Sequence, residues 1–318
     1  MQKPKILVTG GSGLVGNGIK TVSSSWSDIY EFIFISSKDY NLLHISETIA
    51  MFEKYHPEYV IHLAGHVGGL YRNMNHKVEM LEKNLMINYN VIKCSHDFKV
   101  KKLIACLSTC IFPDVVTYPI NESMLHDGPP HFSNDAYAYA KRMIEIHCRA
   151  YRESYGDQFI CITPTNVYGP HDNFDLENGH VLPSLIHKCY LAKQKSEDFI
   201  IRGSGKPLRQ FIFSEDLARL IMIILENHHE DNVILSVPET DEKSIEFIGR
   251  EIAKNFDYEH RVAFDTNYSD GQFKKTVSIA KLLNLLQDSE SDFEFTSLEK
   301  GIQKTIQWFV NQKNNEEI

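Results

Sequence analysis

Tyr137 and Lys141 stand four residues apart in a run of strong helix formers, so both side chains fall on one face of a helix. A lysine ammonium held near a phenol lowers the phenol's pKa. A tyrosine tuned in this way can give its proton to a carbonyl oxygen as that carbonyl is reduced. Ser108 follows the apolar run 102–107. If that run is a strand of a parallel sheet, Leu107 and Ser108 lie at its carboxyl end, the edge where such sheets bind ligands.

Carbonyl reduction needs a hydride source, and the amino end of the chain is suited to hold one. Gly10, Gly11, Ser12, Gly13, Leu14, Val15 and Gly16 lie between the apolar run 5–9 and a helical segment. The spacing is G-x-x-G-x-x-G: Gly10 permits a tight strand-to-helix turn, Gly13 lets the backbone approach a pyrophosphate, and Gly16 lets the helix pack close to the sheet. The amides at the helix N-terminus then face the phosphates. The second strand ends in Ser36, Ser37, Lys38 and Asp39. An acid at this tip suits the ribose 2′-hydroxyl of NAD, whereas hydroxyls and a lysine suit a 2′-phosphate. Ser37 and Lys38 therefore favour NADPH/NADP+; the preference weakens if Asp39 rather than Lys38 faces the ribose.

Several elements must position these groups. Apolar runs predict strands at 5–9, 31–35, 59–64, 102–107 and 159–163. Helices are expected over 14–24, 46–55 with Ser46 as N-cap, 76–97 and 135–155, with a loop over 113–134. This alternation implies an α/β fold: a doubly wound parallel sheet with helices on both faces. Past residue 170 the segments shorten, with strands near 199–201 and 212–213 and helices over 181–195 and 216–226. Residues 1–170 are thus expected to form the dinucleotide-binding domain. Residues 171–318 are expected to form a smaller α/β substrate-binding lobe, partly interleaved with the first. The polar tail 311–318 is expected to fray.

Composition narrows the function classes. The 318 residues carry a formal net charge of -9, which argues against non-specific nucleic-acid or anionic-membrane partners. No stretch of about 18 apolar residues suggests a membrane span. The first residues lack the pattern of a secretory signal, so a cytosolic, cytoplasmic location is expected. The six cysteines, at 94, 106, 110, 148, 161 and 189, contain no C-x-x-C pair, so neither a metal site nor a disulfide framework is expected. The sequons at Asn121 and Asn267 are read as accidental.

Glycine turn, strand-end serine and Y-x-x-x-K, in this order, resemble the extended short-chain dehydrogenase/reductase family, whose members have a Rossmann sheet. Longer runs resemble one branch of it: VTGGSGLVG (8–16), VGG (67–69), LSTCIFP (107–113), PTNVYGPHDNF (164–174), GHVLP (179–183) and SDGQFKK (269–275). That branch epimerises GDP-4-keto-6-deoxy-D-mannose at C3 and C5 and reduces it at C4 to GDP-L-fucose. The resemblance implies Cys110 as base and His180 as acid for epimerisation, with His180 also near the cofactor. It implies that Ser108 and Tyr137 bind the C4 oxygen and that Lys141 holds the nicotinamide ribose. Pro164, Thr165, Asn166 and Val167 would meet the nicotinamide, Lys188 and Arg209 the GDP diphosphate, and Asp270 the substrate. Arg202 occupies a position where some relatives carry a tryptophan, and a guanidinium can also stack or bind phosphate. The helices over 76–97 and 135–155 match those that pair in homodimers of the superfamily. Two alternatives compete. One is another nucleotide-sugar epimerase/reductase of this family or a modifier such as a 4-epimerase or 4,6-dehydratase, which needs its cofactor recycled; a dehydratase similar to this family would place an Asp-Glu pair after the strand-end hydroxyl, but Thr109, Cys110 and Ile111 stand here. A non-catalytic cofactor-binding scaffold would have no need to keep Ser108, Tyr137 and Lys141.

Overall fold

A computed structural model describes every residue except Met1, Gly69, Ser269, Gly271, Gln272, Glu290, Glu317 and Ile318. Gly69 of the VGG run and three residues of the SDGQFKK run therefore lie outside the described residues. The first half alternates: β1 (Lys5–Thr9), α1 (Leu14–Val22), β2 (Glu31–Ile35), α2 (Ile45–Tyr55), β3 (Tyr59–His62), α3 (Leu70–Asn75), α4 (Lys77–Asp97), β4 (Lys102–Cys106), α5 (Asp135–Tyr155) and β5 (Phe159–Pro164). The second half runs β6 (Asn166–Tyr168), α6 (Val181–Lys195), β7 (Phe199–Arg202), β8 (Leu208–Arg209), β9 (Phe211–Phe213), α7 (Ser214–Asn227) and β10 (Val233–Leu235). It continues with β11 (Lys243–Ser244), α8 (Ile245–Asn255), β12 (Val262–Asp265), α9 (Ala280–Asp288) and α10 (Leu298–Glu316).

Six parallel strands form the main sheet in the order β10-β5-β4-β3-β1-β2. The chain winds outward from β1 to β2, then returns to β3 on the other side of β1. This reversal opens a crevice beyond the carboxyl ends of β1 and β3, where doubly wound sheets hold their ligands. The strands read as unbroken apolar runs because both faces are covered. Leu7, Leu103 and Ala105 enter the core on one face, and Ile6, Val8 and Ile104 enter the core on the other. A third apolar core joins α6, β7, α8 and α10 through Ile186, Phe199, Ile252, Ile302 and Phe309. From the second half, β10 rejoins the main sheet and α7 packs on α1.

Some boundaries differ from expectation for local reasons. α1 stops at Val22 and tightens into a 3-10 turn over Ser23–Trp26, where the Ser23 hydroxyl donates to the Lys20 carbonyl at 2.9 Å and competes with the helical ladder. Ser46 is not the N-cap of α2: His44 takes that position. Asn41 accepts the Leu43 amide at 3.2 Å, and Glu47 accepts the Asn41 amide at 2.7 Å, which starts the helix earlier. The loop 113–134 contains a 3-10 turn, Glu122–His126, and Glu122 accepts the Ile234 amide of β10 at 2.9 Å. Residues 311–316 are helical rather than frayed. Ile302, Ile306 and Phe309 are buried and anchor α10, and an established helix extends cheaply.

Candidate active site

β4 delivers Ser108 in an extended conformation to the sheet's carboxyl edge, where the 3-10 turn Thr109–Ile111 begins. The Ser108 hydroxyl accepts the Cys110 amide at 3.5 Å. α5 lies behind this turn. Its Ala138 and Ala140 are buried, Lys141 is 4% exposed, and Tyr139 turns outward. The Lys141 ammonium donates to the Cys106 carbonyl at 3.0 Å, at the end of β4. One residue on, the Arg142 guanidinium is buried and donates to the carbonyls of Ile111 and Gly128. Arg142 therefore ties the turn that carries Cys110 to the helix that carries Tyr137 and Lys141. No motif marks it as more than a helix arginine.

The electrostatics of the group are those of a dry pocket. Burial pushes the Tyr137 hydroxyl well above its ordinary value, and the thiols of Cys110 and Cys106 add to the rise. Burial also raises the Cys110 thiol. Lys275, the Ser108 hydroxyl and Lys141 pull it back. Lys141 itself is lowered by burial and supported by the two cysteines. The expectation that Lys141 lowers the Tyr137 pKa is thus not met: desolvation dominates, and the ammonium points at the Cys106 carbonyl. Lys275 lies close enough to sense both Cys110 and Arg209. Sequence reasoning passed over it because it is one of two adjacent lysines in a polar run.

The glycine turn fits a dinucleotide pyrophosphate. Gly10 has φ +70°, and a Cβ there would meet the Ala64 amide nitrogen at 2.8 Å. A Cβ at Gly16 would meet the Gly10 carbonyl oxygen at 2.5 Å. The same construction at Gly13 finds only the Gly10 carbonyl oxygen, at 3.4 Å. The space in front of the α1 N-terminus is therefore open, and Gly13, its N-cap, brings no capping side chain. Asn17 donates to the carbonyls of Ser12 and Gly13 at 2.9 and 3.0 Å and holds the turn in place. At the tip of β2, the Asp39 carboxylate accepts the Ser36 amide at 2.8 Å and the Ser36 hydroxyl at 2.7 Å. These hydrogen bonds hold its pKa below the usual carboxylate value. Asp39 is thus occupied with the turn, while Ser37 and Lys38 are exposed.

Pro164 closes β5, and Thr165 is clamped beside it: its amide donates to the Leu235 carbonyl at 3.1 Å and its hydroxyl to Ser236 at 2.9 Å. Asn166 donates to the Gln210 carbonyl at 2.8 Å, and Val167 pairs with Ile212. A cavity of about 860 Å³ lies between α6, β7 and the segment 75–79, with His180, Lys188 and Arg202 in its wall. Its size is that of a small-molecule site. Burial lowers the Lys188 pKa, and the Arg202 charge lowers it further. Two cations that face each other in this way make a site for an anion. Arg202 also stacks on Tyr268, with the guanidinium 4.5 Å from the ring centroid. Glu79 of the same wall pairs with His66 at 3.2 Å, and a Cβ on the adjacent Gly65 would lie 3.3 Å from the Lys141 ammonium. Gly65 thus lies beside the Lys141 ammonium and Glu79 beside the cavity.

Arg209 and Asp270 both have partners within the fold. Arg209 is not among the residues lining this cavity; it donates to the Leu208 carbonyl at 2.7 Å and lies on the Lys275 side. The Asp270 carboxylate accepts the Ser204 amide and hydroxyl, each at 2.6 Å, and shapes the turn after Arg202.

A parallel sheet whose first turn is open to a pyrophosphate, with a tyrosine and a lysine behind the end of its fourth strand, is the arrangement of a short-chain dehydrogenase/reductase. The chain belongs to the NAD dependent epimerase/dehydratase family, which it matches over residues 6–236. It is 50% identical to GDP-L-fucose synthase of Dictyostelium discoideum over 97% of this chain and 96% of that one. It is 42% identical to a probable GDP-L-fucose synthase of Drosophila melanogaster over 96% and 97% of the two chains. The crystal structure of a GDP-L-fucose synthetase from Naegleria fowleri bound to NADP superposes with a TM-score of 0.93, at 46% identity over 99% of this chain and 95% of that one.

Proposed function

We propose that this chain converts GDP-4-keto-6-deoxy-D-mannose to GDP-L-fucose by 3,5-epimerisation followed by NADPH-dependent reduction at C4. The observation that carries the reading is the Cys110 thiol, two residues from Ser108 and close enough to Tyr137 to shift it. Reduction alone needs a tyrosine and a lysine. A second proton-carrying group beside them is what epimerisation adds. The Naegleria structure bound to NADP and the names of the relatives support the cofactor and the substrate.

In this reading the C4 ketone acidifies the protons on C3 and C5. Cys110 removes each, helped toward its thiolate by Lys275 and Lys141, and His180 returns a proton from the opposite face. The hydroxyls of Ser108 and Tyr137 hold the C4 oxygen as negative charge develops on it. Bound NADPH supplies hydride to C4. Tyr137 then gives its proton to the C4 oxygen, which its raised pKa keeps available. The turn 10–16 holds the pyrophosphate, Ser37 and Lys38 the 2′-phosphate, Lys141 the nicotinamide ribose, and residues 164–167 the nicotinamide. Lys188 and Arg209, with Arg202 beside Lys188, pair with the diphosphate of the substrate, and Asp270, which holds the turn after Arg202, contacts the substrate.

We place the substrate-binding lobe in 171–318, interleaved with 1–170; the third apolar core supports this, as does the return of β10 to the sheet. A homodimer through α4 and α5 is supported by Met86, Tyr89, Tyr139 and Met143, large apolar side chains exposed on these two helices. Light scattering at micromolar concentration checks it, and a monomer mass rejects it. Six free cysteines suit a reducing compartment such as the cytosol. The assay for the function is NADPH oxidation with GDP-4-keto-6-deoxy-D-mannose and NMR of the product. GDP-L-fucose formed one-to-one with NADPH consumed supports the proposal. Turnover of only a different keto-sugar nucleotide rejects the assigned substrate.

A further inference from the structure

The Asp172 side chain is 3% exposed, yet it has an unused acceptor. Its Oδ1 accepts the Asn173 amide at 2.7 Å. Its Oδ2 is buried without a hydrogen-bond partner among the described residues. A buried carboxylate oxygen left unpaired is unfavourable, so the position favours a nearby donor. The imidazole of His180 is the ionisable group beside this carboxylate: its Nδ1 lies 3.9 Å from Oδ1, the oxygen that also accepts the Asn173 amide.

Two folded-back turns create this approach. His171 has φ 66°, and the Asp172 amide donates to the Gly169 carbonyl at 3.4 Å. Asp175 then accepts the amides of Glu177 and Asn178, while its carbonyl takes the Gly179 amide and the Ser184 hydroxyl. Residues 172 and 180 are thereby brought together at the N-cap of α6, on the rim of the cavity.

We propose that Asp172 is the positioning partner of His180: its carboxylate accepts the Nδ1 proton and leaves the Nε2 proton facing the cavity as the one exchanged with substrate. The inference rests on the role given to His180 under the proposed function. The pairing requires the ring to close the 3.9 Å between Nδ1 and Oδ1 to hydrogen-bond distance. The charges around the ring make Asp172 the compensating group. Lys188 and Arg202 line the same cavity and oppose an imidazolium, His76 adds no negative charge, and Glu79 is engaged by His66 and Lys83. Glu177, also in the wall, is exposed. Interaction with the neighbouring Asp172 carboxylate holds His180 above the ordinary histidine value.

Asp172→Asn tests this, because the carboxamide keeps an oxygen acceptor for the Asn173 amide while it removes the charge and turns the second oxygen into an NH2 donor. The first readout is the NMR titration of the His180 ring in the full chain, assigned with His180→Asn. The midpoint moves to lower pH in Asp172→Asn. Solvent-deuterium exchange at C3 and C5 of GDP-4-keto-6-deoxy-D-mannose falls about tenfold to a hundredfold, its pH optimum moves down with the midpoint, and NADPH affinity is kept. An unchanged His180 midpoint overturns the proposal. If Asp172→Asn does not fold, the carboxyl titration of Asp172 in wild type and in His180→Asn gives the reciprocal result: a shift supports the pairing and none overturns it. A shifted midpoint in a protein that does not turn over this sugar refutes the substrate assignment and upholds the pairing.

Discussion

Lowering the pH removes stability that His62 contributes as a neutral imidazole. The side chain is 1% exposed, between β1, β3 and α4. Its Nε2 faces Asn88 Oδ1 at 3.1 Å, and its Nδ1 faces the Thr9 hydroxyl at 2.8 Å. Asn88 Oδ1 can only accept, so Nε2 carries the hydrogen and Nδ1 accepts from Thr9. The Thr9 oxygen in turn accepts the Ala64 amide at 3.3 Å. Protonating Nδ1 would break this chain of donors and acceptors. Burial, and then the Lys141 charge, push the pKa from 6.5 to about 3. The folded value is depressed, so as the pH falls the unfolded chain takes up the proton first. The contribution is therefore complete above 6.5 and is lost as the pH falls from 6.5 toward about 3. At 1.36 kcal/mol per pKa unit this amounts to roughly 4–5 kcal/mol over the whole range, and to about 2 kcal/mol between pH 6.5 and about pH 5. Urea unfolding of wild type and His62→Gln across that narrower window isolates the histidine, because the other titrating groups are shared. The wild type should lose about 2 kcal/mol more than the variant. Parallel pH dependences in the two proteins would refute the reasoning.

Three further outcomes concern the site. Tyr137→Phe should slow C4 reduction about a hundredfold to ten-thousandfold while NADPH binding by fluorescence is kept; wild-type turnover would reject the proton-donor role. Cys110→Ser should abolish deuterium uptake at C3 and C5 in a folded protein, and uptake at the wild-type rate would remove Cys110 as base. Gly16→Ala places a Cβ 2.5 Å from the Gly10 carbonyl oxygen, so it should cost roughly 1–3 kcal/mol in thermal or urea unfolding and weaken NADPH binding; undisturbed affinity would show that the turn yields easily.

Much of the sheet was legible because its strands are apolar on both faces, and α5 because it is a long run of strong helix formers. The glycine turn was readable for a similar reason: Gly10 and Gly16 are required by local backbone packing. Less legible were features set by partners far along the chain. β10 is three residues long and becomes a strand only by pairing with β5. Asp39 looked like a possible ribose ligand until its carboxylate was seen on Ser36. Arg142, Lys275 and Asp172 carry no motif, and their meaning comes from which turn, thiol or imidazole the fold sets beside them. The Tyr137–Lys141 spacing correctly put both on one face, but spacing does not report desolvation, which decides the direction of the tyrosine's shift.

The central claim is that one site both exchanges protons at C3 and C5 and reduces C4. Incubating the protein with GDP-4-keto-6-deoxy-D-mannose and unlabelled NADPH in deuterium oxide, then reading the product by NMR, tests both halves at once. The account predicts GDP-L-fucose with deuterium on C3 and C5 and protium from NADPH on C4. A reduced sugar with protium retained at C3 and C5 would contradict it and leave a 4-reductase without epimerase activity.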